Sequence, residues 1–440
     1  MKAKWLPISA AVALALGSVS ASAVDFHGYF RTATNYNGQG GNTYCPGSGT
    51  GGHMAGRLGA ECDFWMEITL DQEVFNKANN KFAVHTMIAY GNTAENWDFQ
   101  GNDWQATDNS YSAGWNGQRI TVKQFWAEYQ MPSGITLWGG KRYYKRKDVH
   151  IMDYYYLNDS GNGFGIENIA LNGLGNLSFA LMKMQTTNFG GSDESKADNH
   201  YKLDARWDGI PLWSEASLDI DLIYSWDHYS DEQKAGGAKT NNGFLGMIEY
   251  VQGNFFGGFN KLSYTFGKGA LNGIGSFGNH GGANVVPYHQ RGTGHRILDW
   301  GVIEQAKWNL GYSFMFGHMS NDDKDGDTDW GKGWNKIGGN YYSVVLRPSF
   351  KWSTFTSTVM EIGHYNGDYN GVNGRPADAS ERETLSKITL GQQWTPDSSF
   401  WSRPSLMLFA SWITGNQMDH KFSNGDSHEF IFGFRTEAWW

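Results

Sequence analysis

The closing residues, His428 to Trp440, alternate so strictly that they leave the chain little choice of fold. Phe430, Phe432, Phe434, Ala438 and Trp440 fall on one side of an extended segment, and Glu429, Arg435, Glu437 and Trp439 on the other. Side chains in a strand point to opposite faces with a period of two, so one face seeks an apolar medium and the other water. The start of the chain repeats the pattern, with Val24, Phe26 and Phe30 set against Asp25, His27, Tyr29 and Arg31. Between Glu61 and Leu70, Cys62, Phe64, Met66, Ile68 and Leu70 alternate with Glu61, Asp63, Trp65, Glu67 and Thr69. Near Phe259 the apolar set is Leu262, Tyr264 and Phe266, and near Trp401 it is Pro404, Leu406 and Leu408. Each segment also places one aromatic on its polar face: Tyr29, Trp65, Phe259, Trp401 or Trp439. The first and last strands can pair with each other and close a sheet.

Beyond residue 23 no stretch approaches the roughly 18 uninterrupted apolar residues that a membrane-spanning helix needs. Lipid admits only helices and closed sheets, which leaves a large soluble β protein or a membrane barrel. Composition favours the barrel. Aromatics make up 15% and there are only 9 prolines, as suits long paired strands in which proline cannot donate to the ladder. The mean hydropathy of −0.52 fits a barrel whose lumen-facing half is polar. Lys2 and Lys4, the apolar run Ile8 to Leu16 and the small residues Ala21-Ser22-Ala23 read as a secretory signal over 1–23, with Val24 as the first mature residue. Losing the two lysines takes the formal charge from −9 to −11. An acidic chain argues against a nucleic-acid partner, because binding phosphates needs a basic surface.

Further strands are expected at Phe82 to Tyr90, Leu218 to Trp226, Tyr342 to Leu346 and Lys387 to Trp394. Glycine- and asparagine-rich stretches at Asn37 to Gly52, Gly267 to Gly282 and Ser320 to Gly339 read as loops. Nothing divides 24–440 into two domains. Cys45 and Cys62 lie in a glycine-rich first loop, and in an exported chain the expectation is a disulfide that staples it. With only His53 between them they make a poor zinc site.

Aromatic rings can cover the flat C–H faces of a pyranose while charged side chains bond its hydroxyls. Rings on the polar face therefore have two readings. They stack on sugar, or they fill the lumen and anchor the membrane interface.

Several stretches resemble the maltoporin family, from Val24 to Trp440: VDFHGYFR at the mature N-terminus, RLGAECDFWMEITL from Arg57, and GGKRYYKRKDVHIMDYYY from Gly139. HRILDWG from His295, STVMEIG from Ser357, ITLGQQW from Ile388, FWSRP from Phe400 and the final WW follow in order. The resemblance implies an all-β, 18-stranded antiparallel transmembrane barrel in the outer membrane of a Gram-negative bacterium, assembled as a homotrimer. It implies a constriction loop around 141–165 folded into each pore. It further implies passive diffusion of maltose and maltooligosaccharides along an aromatic slide of Tyr29, Trp65, Phe259, Trp401 and Trp439, with Trp104 reaching into a neighbouring subunit. Polar tracks would come from Arg146, Asp148, His150, Asp153 and Tyr155 on the loop and from Arg31, Arg57 and Glu67 on the wall. Tyr155 would narrow the pore. Trp65 replaces the family's usual tyrosine, Ser112 falls near a family arginine, and Asn158 replaces a family aspartate.

The competing readings are a porin of the same fold for sucrose or a β-glucoside, a general diffusion porin, and a secreted lectin. A glycosidase would need Asp148 and Asp153 to flank one bond, and their spacing on a single loop gives no reason to expect it. No nucleophile elbow, phosphate loop or metal-ligand spacing appears. No cofactor is expected, apart from a structural calcium ion among the loop carboxylates.

Overall fold

A computed structural model describes residues 24–41, 43, 52–59, 61, 64–91, 119–186, 198–235, 242–272, 292–320, 338–370, 383–415 and 428–440. The first strands are β1 (Asp25–Asn37), β2 (Phe64–Lys77), β3 (Asn80–Gly91), β4 (Arg119–Gln130) and β5 (Thr136–Arg142). A small hairpin, β6 (Lys147–Val149) and β7 (Tyr154–Leu157), precedes β8 (Gly161–Ala170), β9 (Asn176–Thr186), β10 (Asp198–Pro211) and β11 (Ala216–Asp227). Then come β12 (Gly243–Phe255), β13 (Gly258–Gly269), β14 (Thr293–Glu304), β15 (Trp308–Met319) and β16 (Gly338–Lys351). The chain finishes with β17 (Thr356–Asn370), β18 (Glu383–Trp394), β19 (Ser405–Gly415) and β20 (His428–Trp439).

All but β6 and β7 belong to one antiparallel sheet of 18 strands. The sheet closes because β1 pairs with β2 on one side and with β20 on the other, Tyr29 opposite Trp439 and Arg31 opposite Glu437. A closed sheet leaves no unpaired edge, which lipid could not tolerate. Tight links join the strands at the end where the chain termini lie. Ala78 and Asn79 turn β2 into β3 with φ of 50 and 61°, and Phe256 and Gly257 turn β12 into β13 with 49 and 85°. Both links match the right-handed twist of a hairpin.

The alternation read from the sequence holds in space. Phe430, Phe432, Phe434, Leu406, Leu408, Leu262 and Tyr264 stand exposed on the outside, while Glu429, Arg435 and Glu437 are buried inside. All four further strand segments fall within β3, β11, β16 and β18.

The interior departs from a simple polar lumen. Ile223, Leu245, Met247, Leu298, Val345, Val359, Leu385, Met407 and Ile431 face inward and are buried. They pack against Met54, Ala55 and Leu58 from the segment between β1 and β2, and against Val149, Ile151, Met152 and Leu157 from the segment between β5 and β8. Two stretches of chain, 52–59 and 143–160, thus fold into the barrel and cover the inner wall from β11 to β20.

Candidate functional site

The infolded segment 143–160 has two faces set by its own alternation. At His150–Met152 the chain makes one 3-10 turn, and Asp153, in the left-handed region at φ 50°, reverses it so that β7 runs back along β6. Tyr154 and Tyr156 then point into the wall, and Tyr155 between them points into the lumen. On the wall side Lys147 Nζ lies 2.9 Å from Asp219 and 3.0 Å from Glu249, and Tyr156 donates to Glu249 at 2.6 Å. Arg296 donates to the Tyr154 hydroxyl at 2.8 Å and to the Tyr156 carbonyl. Burial works against the Lys147 ammonium, but three surrounding carboxylates hold its pKa above the ordinary lysine value. On the lumen side the Arg146 guanidinium lies over the rings of Tyr143, at 3.3 Å, and Tyr155, at 4.4 Å. Tyr143 in turn donates to Glu67 of β2 at 3.0 Å. Asp148 lies beside this group on β6 with its side chain exposed.

A mesh of charges ties both infolded segments to the first and last strands. Arg31 reaches Asp153 at 2.5 Å and Glu61 at 3.3 Å. Arg57 reaches Glu61 at 2.7 Å and Glu437 at 2.8 Å, and also donates to the Tyr29 hydroxyl at 3.1 Å. Arg435 and Arg403 add contacts to Glu61 and Glu437 at 2.8 and 2.7 Å. Farther along, Glu361 takes Arg347 at 2.6 Å, Lys387 at 2.9 Å and the Leu58 amide at 2.8 Å. Burial would raise the pKa of Glu61 and Asp153, but the guanidiniums outweigh it and hold both well below the usual carboxylate range. Burial keeps His53 and His150 neutral, with the His53 pKa lowered to about 4. His53, Glu61 and Asp153 could offer three ligand atoms within 4.8 Å of one another. A cation there would face Arg31 and Arg57, which already neutralise both carboxylates.

Of the five aromatics singled out by alternation, Trp439, Trp401 and Phe259 share a continuous path of rings joined through His150. Trp439 meets the edge of His150 at 5.6 Å between centroids, and His150 meets Trp401 at 5.3 Å. Trp401 stacks on Phe259 at 6.3 Å, and Phe259 meets Trp300 edge-on at 4.9 Å. Arg403 covers Trp439 at 4.2 Å. Farther from the termini, Trp65 lies opposite Arg31 on β1 and Gly91 on β3, with the Lys123 ammonium 5.4 Å from its ring.

Trp401 is not on a strand. Alternation placed it on the polar face of the segment that became β19, but that strand starts only at Ser405. Residues 395–404 instead form the link from β18 to β19, and Phe400 and Trp401 pack against the buried inner cluster. The Phe400 amide donates to Glu304 at 3.2 Å and Asn309 donates to the Ser398 carbonyl at 3.4 Å. Pro404 has no N–H to give a ladder, which is consistent with the strand starting after it.

Asn158 is buried, and its Oδ1 accepts the Ser160 amide at 3.2 Å, so its side chain closes a local turn. Trp104, Ser112, Cys45 and Cys62 lie outside the described residues. The reading from sequence missed the inward fold of 52–59, the turn at 395–404, and the parts played by Glu61, Arg403 and Trp300. A signal existed for the first. Consecutive apolar residues such as Leu222-Ile223 and Val344-Val345-Leu346 mark strands covered on both faces.

The arrangement sets fixed donors and acceptors beside half-buried rings, which suits reversible contact with a polyhydroxylated ligand. Comparison with known proteins agrees with a channel. The LamB porin family matches residues 24–440. A maltoporin of Hahella chejuensis (strain KCTC 2396) is 32% identical over 443 residues, covering 99% of this chain and 98% of its own. Among solved structures, Pseudomonas aeruginosa OpdK with vanillate is 9% identical, with a TM-score of 0.49 over 94% of this chain and 98% of its own. The trimer form of Vibrio cholerae OmpT is 9% identical, with a TM-score of 0.40 over 96% of this chain and 100% of its own.

Proposed function

The chain belongs to the LamB porin family, and on that premise we propose that it lets maltose and maltooligosaccharides diffuse passively across the outer membrane. The observation that carries this reading is the run of rings from Trp439 through His150 and Trp401 to Phe259, with Arg403 and Glu437 beside it. A pyranose lying flat on these rings keeps its apolar face covered while its hydroxyls exchange partners with the neighbouring charges. Aromatic contacts of this size contribute roughly 0.5 to 1.5 kcal/mol each, enough to favour entry and too little to prevent exit. Loss of one contact is offset by gain of the next as the sugar advances.

In this reading Trp65 receives the sugar on the loop side, Tyr29 stands opposite Trp439 toward the other end, and Arg31, Arg57, Glu67, Arg146, Asp148, His150 and Asp153 form the polar tracks. Tyr155 narrows the passage opposite the rings. The trimer, the reach of Trp104 into a neighbour, export through 1–23 and a single barrel domain over 24–440 belong to the same proposal. Asn158 is turned into its own loop, so its departure from the family aspartate does not favour a different sugar.

Planar-bilayer recording with maltose, sucrose and an aryl β-glucoside added in turn tests the proposal. Reversible current block that is strongest for the maltose series supports it. Open channels indifferent to all three would leave a general diffusion porin.

A further inference from the structure

Lys261 on β13 shares the inward alternation of Phe259, Ser263 and Thr265, is half-buried, and stands directly opposite Trp300 of β14. Its ammonium lies 5.6 Å from the centre of the Trp300 ring. Among the described residues it joins no ion pair and donates no hydrogen bond. The cause is local. Its diagonal neighbour on the same inner face is Glu249 of β12, and Glu249 is already held by Lys147 at 3.0 Å and Tyr156 at 2.6 Å. The infolded loop thus takes the acid that would otherwise neutralise Lys261.

The same loop presents a complementary charge. Asp148 of β6 is exposed and lies opposite Tyr155 in the hairpin register. It too accepts no hydrogen bond and joins no ion pair among the described residues. The Lys261 charge is nevertheless among those that reach Asp148 through space. A donor and an acceptor therefore stand in each other's field without touching, beside the Phe259 ring that Trp300 meets edge-on at 4.9 Å. Residues two apart on one face of a strand are separated by roughly 7 Å. A pyranose covering Phe259 accordingly brings an edge hydroxyl within reach of the Lys261 ammonium.

Resting on the sugar-transport reading above, we propose that Lys261 and Asp148 form a hydroxyl-reading pair beside Phe259. The ammonium donates to one edge hydroxyl of the stacked pyranose, and the carboxylate accepts from a neighbouring one. The sugar supplies each charge with the partner that the protein does not. Charge-assisted hydrogen bonds are about twice as strong as neutral ones, so the pair delays the sugar at Phe259. Lys261 is thereby a specificity-determining residue, because a ring without edge hydroxyls gains nothing from it.

Single-channel recording with maltohexaose tests the pair through the rates at which the sugar enters and leaves. In Lys261→Met the sugar should leave roughly three- to tenfold faster and enter within about twofold of the wild-type rate, since a lost charged hydrogen bond is read in the off-rate. Removing a positive charge from the lumen should also move the zero-current potential toward cation selectivity, which a purely structural effect on Phe259 would not. Lys261→Gln should behave in the same way, so either folded variant decides. Lys307→Met, an equal change of charge in the link between β14 and β15, should match the wild type. Unchanged exit rates in a folded Lys261 variant, or equal acceleration in Lys307→Met, overturn the pair while leaving sugar transport standing. A wild type that maltohexaose does not block overturns the transport reading and this inference together.

Discussion

Arg57 in the first infolded segment donates to Glu437 on the last strand, Nη2 to Oε1 at 2.8 Å, across 380 positions of sequence. Both side chains are buried, so this contact holds the inner segment against the seam where the barrel closes. Replacing Arg57 by alanine leaves Glu61 and Glu437 short of one guanidinium in a site with little water. Breaking such a buried pair costs about 3 to 5 kcal/mol. The Arg57→Ala channel should therefore show noisier current and faster chymotrypsin cleavage after Leu58 than the wild type, read by bilayer recording and gel.

His53 makes the same segment sensitive to acid. Burial lowers its pKa from 6.5 to about 4, so the folded arrangement favours the neutral ring. That contribution is complete above pH 6.5 and is lost as pH falls from 6.5 to about 4. It amounts to roughly 3 kcal/mol over the whole window. Glu61 and Asp153 act in a different range. Their depressed pKa values give stability that is full above the ordinary carboxylate range and is lost only below it. Current noise in the wild type should grow between pH 6.5 and 5, and His53→Gln should remove the growth in that interval alone.

Gly363 on β17 is where the inner segment comes closest to the wall. A Cβ there would meet the Ala55 carbonyl oxygen at 1.9 Å. Gly363→Ala must push 52–55 into the lumen, at about 1 to 3 kcal/mol. Thermal unfolding should shift downward and ion conductance should change, while the barrel remains intact by circular dichroism.

Much of the barrel was legible in the sequence because a strand exposes its burial pattern two residues at a time. Phe430 to Phe434 and Glu429 to Glu437 fell on the faces where the structure puts them. Arg31 and Glu67 fell on the polar faces for the same reason, whereas Arg57, expected on the wall from the family resemblance, stands on the infolded segment between β1 and β2. What alternation could not give was contact across the lumen. Nothing local to Glu61 indicates that Arg435 will stand 2.8 Å away, since the partners come from opposite ends of the chain. Trp401 was found for a reason that does not apply to it, because it sits on an inward turn whose course depends on Glu304 and Asn309.

Tyr155 projects into the lumen between two tyrosines that point into the wall. Truncating it should remove bulk from the passage without loosening the loop, which Lys147, Tyr154 and Tyr156 hold from below. Tyr155→Ala should raise single-channel conductance; a value equal to wild type would mean that the narrowest point lies elsewhere.

Titrating maltohexaose against single-channel current in Trp65→Ala and Trp401→Ala probes the ring path most directly. With each lost stacking contact worth roughly 0.5 to 1.5 kcal/mol, half-block should require about two- to tenfold more sugar in each variant, with open-channel gating otherwise as in the wild type. Block indistinguishable from wild type in both variants would contradict the account, because the sugar would then be passing without touching either ring.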